Sequence, residues 1–136
     1  MPSDKLFISS WVFNEMIRHS KEVYPEEACG ILSGNDERVS YIFKITNVEH
    51  SPVSYLMDSR EQFNVMKEMR RMGLKMLGIY HSHTASDAYP SSKDRELAFY
   101  DDVAYVIVSL ASEIPVVRAF SIKDRKEVRE IELIIG

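Results

Sequence analysis

Apolar residues fall in short runs, and their period changes along the chain. Leu6, Phe7 and Ile8 predict a first strand over 5–8. Val12, Phe13, Met16 and Ile17 then recur at helical spacing behind Ser9 and Ser10, either of which can cap the helix. Pro25 ends it, because the residue before a proline is pushed out of the helical region. Residues 26–33 predict a strand closed by the turn Gly34-Asn35-Asp36, with 39–45 as its hairpin partner. Asn47 and Pro52 break the next stretch, and 55–57 predicts one more short strand. Asp58, followed three residues later by Glu61, predicts a helix start; Phe63, Met66 and Met69 carry that helix to Gly73. The apolar run 76–80 predicts a buried strand, 93–100 a third helix beginning near Ser91-Ser92, and 103–110, 116–122 and 127–135 the closing strands. This mixture predicts an α/β (α+β) layer fold, with a mixed, mostly antiparallel sheet flanked by about three helices. At 136 residues without repeat or linker, one domain over 1–136 is expected.

Composition narrows the function classes. A net charge of −4 argues against a nucleic-acid grip, and the basic segment Lys67 to Arg71 reads as a solvated helix face. The longest apolar stretch, 103–110, is too short to span a bilayer, and the N-terminus shows no signal-peptide pattern. The single cysteine, Cys29, has no internal disulfide partner, so a reducing, cytoplasmic setting is expected. Oligomeric state is left open by the sequence, a homodimer included.

Candidate chemistry gathers after the buried run. If that strand continues through His83, then His81 and His83 project to one face. Asp94 follows the helix start, where a carboxylate in the first turn can point back to the strand end. Two imidazoles and one carboxylate leave a fourth tetrahedral position for water, the pattern of a catalytic zinc site. A bare His-x-His is more often a surface or structural pair. Here it closes an apolar strand, and a carboxylate returns behind it. No histidine lies beyond His83 for a cupin-type site, and one cysteine cannot supply the Pro-Cys-x-x-Cys run of a zinc deaminase. A non-haem iron oxygenase uses the same ligand types, so the ligand set alone leaves that class open. Asp87 is a rival carboxylate on a loop.

His81-x-His83, seven residues, Ser91, two residues, Asp94 resembles the signature of the JAMM (MPN+) metalloproteases. Glu27-Ala28-Cys29-Gly30 resembles the family's upstream Glu-x-Cys-Gly run, and nearly the whole chain resembles the compact prokaryotic branch. Thr84 departs from the proline common after the second histidine. The resemblance implies a cytidine-deaminase-like MPN fold, with Zn²⁺ held by His81, His83 and Asp94. It makes Glu27 the general base and Ser91 a donor to the oxyanion. Strand alternation would place Glu26 and Glu27 on opposite faces. It further implies hydrolysis of the amide or isopeptide bond after the Gly-Gly tail of a ubiquitin-like or sulfur-carrier protein, releasing cysteine or a lysine-linked adduct. Such a tail could add to an exposed strand edge beside the zinc. The competing readings are a catalytically silent scaffold of the same fold and a zinc hydrolase of another small amide.

Overall fold

A computed structural model describes residues 3–136. The elements are β1 (Lys5–Ile8), α1 (Ser10–Val23), β2 (Cys29–Asn35), β3 (Arg38–Ile45), α2 (Ser59–Met72), β4 (Lys75–His83), α3 (Ser92–Glu96), β5 (Ala104–Ser109), β6 (Val116–Lys123) and β7 (Glu127–Ile135). The strands pair in the order β1-β3-β2-β4-β5-β6-β7 and close into a barrel. Closure runs through β1, which lies parallel to both β3 and β7. The β4–β5 pair is also parallel, while β2–β3, β2–β4, β5–β6 and β6–β7 are antiparallel. The expected mixed α+β fold with three helices is present; its closure into a barrel was not anticipated.

Alternation along β4 sorts its side chains. Tyr80 joins Ile8, Val12, Met16, Leu32 and Val106 in the core beneath α1, while Ile79 faces a second core with Tyr105, Ile107, Phe120 and Ile122. His81 and His83 follow the parity of Ile79. Tyr80 is fully buried, and its hydroxyl lies 2.7 Å from His19 Nδ1 on α1, so both polar groups are satisfied inside the core. A Cβ on Gly30 would come within 2.4 Å of the Tyr80 ring, which is why the strand facing Tyr80 carries glycine there. A third core, Ile31, Ile45 and Met69, seats α2 against the sheet.

Several expectations are corrected. β2 begins at Cys29, so Glu26 and Glu27 precede the strand. The hairpin turn is Asp36-Glu37, both at positive φ; Gly34 sits inside β2 at a bulge, where a Cβ would collide with the Arg38 carbonyl. Ser9 occupies the N-cap of α1, but its side chain makes no capping bond. Asp58 caps α2 by accepting the Glu61 amide at 2.9 Å, whereas the Glu61 carboxylate bonds the Thr46 amide instead of completing a box. Residues 55–57 form no strand; Met57 makes a single bridge to Asn47. α3 stops at Glu96, because Ala98 turns into the core and the Tyr100 backbone bonds the Tyr105 hydroxyl. β4 is paired by β2 as far as His81 and by β5 as far as His83, so among the described residues the strand edge at His81 is taken on both sides. Among the described residues, no helix is long and apolar enough to cross a membrane.

Candidate active site

β4 continues through His83 and is buried from Gly78 onward, so both imidazoles emerge together at its end. His81 Nε2 lies 3.2 Å from His83 Nε2. Asp94 Oδ2 lies 3.1 Å from the first and 2.9 Å from the second. The carboxylate is aimed by the helix cap: Ser91 Oγ accepts the Asp94 amide at 3.1 Å, and the Ser91 amide donates to Asp94 Oδ2 at 2.9 Å. A complete capping box therefore fixes the rotamer that delivers Asp94 to the histidines.

The histidines are oriented by different means. His83 Nδ1 lies 2.7 Å from the Asp87 carbonyl, which accepts its proton and so turns Nε2 toward Asp94 and His81. Asp87 thus contributes its backbone, while its side chain is exposed and outside the cluster. His81 is held by Tyr55, whose ring stacks on it at 4.6 Å and 24°. Its own Nδ1 is buried without a partner.

Glu27 is 4% exposed, and its Oε1 has no hydrogen-bond partner. Its backbone is gripped on three sides. The Glu27 amide donates to the Ser51 carbonyl at 2.8 Å, Asn47 Nδ2 donates to the Glu27 carbonyl at 3.1 Å, and the next amide, of Ala28, donates to Ser82 Oγ at 2.8 Å. Glu26, by contrast, points outward to His50 at 3.1 Å. The two glutamates are thus separated as expected, although by a bend before β2 and not by strand alternation. Thr84, in place of the common proline, donates its hydroxyl to the Pro52 carbonyl at 2.8 Å and ties the loop after β3 to the site.

The electrostatics follow from burial and these neighbours. Burial lifts the Glu27 carboxyl to about 8; His83 and Lys93 oppose the rise, while Asp94 and Glu49 add to it. Burial would also raise Asp94, but hydrogen bonds from His81, His83 and the Ser91 amide hold it well below the usual carboxylate range. Burial disfavours charge on His83, yet the Asp94 bond, the Asp87 carbonyl and the nearby carboxylates raise its pKa. The Cys29 thiol is buried, pushed up to about 12, and donates to the Ile45 carbonyl, so it is an inert core group.

These residues fit a divalent cation. Donor atoms of a tetrahedral ion bound at about 2.0–2.1 Å lie about 3.3 Å apart, close to the triangle seen here. The set is two nitrogens and one oxygen, one histidine is locked in the ligating tautomer, and a protonatable carboxylate stands unpartnered nearby. Sequence reasoning brought forward all five of His81, His83, Asp94, Glu27 and Ser91. It missed Ser82, Asn47 and Tyr55, which position them. Ser82 stands between the two histidines, but its partner is 54 residues away; in the sequence Asn47 shows only as a breaker.

The chain is 42% identical over 106 residues to the CysO-cysteine peptidase of Mycobacterium tuberculosis, covering 76% of this chain and 73% of that protein. It is 31% identical over 109 residues to the desampylase of Pyrococcus furiosus, covering 80% and 76%. The solution structure of protein DSY2949 from Desulfitobacterium hafniense superposes with a TM-score of 0.87 at 39% identity, over 96% of this chain and 92% of that one. Residues 9–125 match the family of prokaryotic homologs of the JAB domain, and the chain belongs to that family.

Proposed function

We propose that this chain is a zinc-dependent peptidase that hydrolyses the amide or isopeptide bond after the C-terminal Gly-Gly tail of a small ubiquitin-like or sulfur-carrier protein. The observation that carries this reading is the convergence of His81 Nε2, His83 Nε2 and Asp94 Oδ2 within 3.2 Å of one another, together with a buried carboxyl oxygen of Glu27 that has no hydrogen-bond partner. His81, His83 and Asp94 would hold the ion. Bound there, zinc supplies Lewis acidity toward the scissile carbonyl and acidifies a water. Glu27 takes a proton from the attacking water and hands it to the departing amine. The Ser91 hydroxyl, whose oxygen already accepts the Asp94 amide, has its hydrogen to donate to the developing oxyanion.

The substrate class rests on the relatives named for peptidase or desampylase activity. A groove of about 230 Å³, lined by Tyr55, Leu56, Met57, Leu97, Phe99 and Tyr105, runs up to the ring stacked on His81 and offers an apolar surface beside the site. The test pairs metal content with cleavage. About one zinc per wild-type chain, lost in His83→Ala, together with cleavage of synthetic tails ending Gly-Gly-Cys or Gly-Gly-Lys (through the side chain), supports the reading. A wild type that takes up no zinc would be a scaffold. A zinc-loaded protein that cuts neither tail would be a hydrolase of some other amide.

A further inference from the structure

One ion pair connects the two walls of the site. Lys93, next to Asp94 in α3, places Nζ 3.4 Å from Glu49 Oε1. Glu49 lies two residues after Asn47, whose side chain holds the Glu27 carbonyl. Glu49 is steadied by the Ser54 hydroxyl, which donates to the same Oε1 at 2.5 Å, and by Asn47 Oδ1, which accepts the Glu49 amide. Both charged side chains remain open to solvent, at 49% for Lys93 and 35% for Glu49. The Lys93 charge also reaches Glu27, where it favours the carboxylate form.

Resting on the peptidase reading above, we propose that Lys93 is a specificity residue for the leaving group: it takes the free α-carboxylate of a single amino acid joined to the carrier tail, exchanging Glu49 for the substrate. Glu27 delivers a proton to the leaving nitrogen, so that nitrogen lies beside Glu27. In an α-amino acid, the carboxylate oxygens lie about 3–4 Å from that nitrogen. Lys93 is the neighbour of Asp94 in α3, and Glu49 stands two residues from the asparagine that holds the Glu27 carbonyl, so the pair borders that region. A carboxylate already occupies the ammonium there, on a side chain of this chain, which shows the chemistry the position accepts. The exchange is easy because an exposed pair of this kind is weakly held. A lysine joined through its ε-nitrogen carries four methylenes at that place and no charge, so it gains nothing from Lys93.

The test compares a tail ending Gly-Gly-Cys as the free acid with the same tail as the C-terminal carboxamide. Affinities are measured by calorimetry on zinc-loaded Glu27→Gln, and kcat/KM on the wild type. The free acid should bind about ten- to hundredfold tighter, the effect of one hydrogen bond to a charged group. The kcat/KM ratio should follow. Lys93→Met should bring both ratios to about one, and Lys93→Arg should restore them. Equal affinities for acid and amide in the parent, or a Lys93→Met variant that keeps the preference, would overturn the proposal while the peptidase reading stands. Cleavage of neither tail by the wild type would remove both.

Discussion

Ser82 and Ala28 form a closed pair across 54 residues: the Ala28 amide donates to Ser82 Oγ at 2.8 Å, and the Ser82 amide donates to the Ala28 carbonyl at 3.0 Å. The residue between the two histidines thus holds the residue after Glu27, locking the carboxylate wall to the imidazole wall. Ser82→Ala leaves the buried Ala28 amide without its acceptor, at an expected cost of about 1–3 kcal/mol in urea denaturation. Because His81 and His83 both remain, the proposed site predicts that zinc content stays near one per chain. Turnover should fall by about ten- to hundredfold as Glu27 loses its placement. Loss of zinc in parallel with activity would instead make Ser82 part of the metal site's integrity.

Glu27 ties stability to pH in the metal-free protein. Its folded pKa, about 8, is raised above the ordinary carboxyl value of 4.5 by burial. The contribution is therefore fully present below about pH 4.5 and is lost as pH rises through about 8. Melting of the chelated wild type should fall relative to Glu27→Gln across that window, and the two curves should run parallel below it. A difference that does not change with pH would mean that the carboxyl is not held protonated.

Local rules made the cluster of His81, His83 and Asp94 legible, and long-range pairing hid the rest. Alternation along a buried strand brings His81 and His83 to one face, and a Ser-x-x-Asp cap turns Asp94 toward them; both are short-range consequences of residue type. The barrel closure depends on where a four-residue strand, β1, finds its neighbours, and its sequence carries no register. Asn47 resembles any loop asparagine until the structure shows it bonding four backbone groups. The third helix is shorter than the expected 93–100: its apolar residues 97–100 look helical in isolation, while Ala98 and Tyr100 are drawn into the fold by the start of β5.

Asp87 and Asp94 should separate cleanly. Asp87 offers the site a carbonyl, so Asp87→Ala should retain zinc by elemental analysis. Asp94→Ala removes a proposed ligand and one arm of the capping box together. It should lose the metal and, from the cap alone, about 1 kcal/mol of stability. Loss of metal in Asp87→Ala would overturn the ligand assignment.

Asn47 is expected to be the most sensitive position outside His81, His83 and Asp94. It is buried, its Nδ2 donates to the carbonyls of Glu27 and Ser54, and its Oδ1 accepts the amides of Glu49 and Leu56. One side chain thus shapes the loop that carries Glu49 and Tyr55 and fastens that loop to Glu27. Asn47→Ala strands these groups, with an expected loss of about 2–4 kcal/mol if water satisfies only some of them. Asn47→Asp keeps the two accepted bonds but loses both donated ones, so it should recover part of the stability. It should recover little of the activity, because the bond to the Glu27 carbonyl is among those lost. Hydrogen exchange localises the effect: amides of Glu49 and Leu56 should exchange faster in Asn47→Ala, and those of β6 and β7 should not. Uniform acceleration across the sheet would show that the residue supports the fold as a whole and not the loop beside the site.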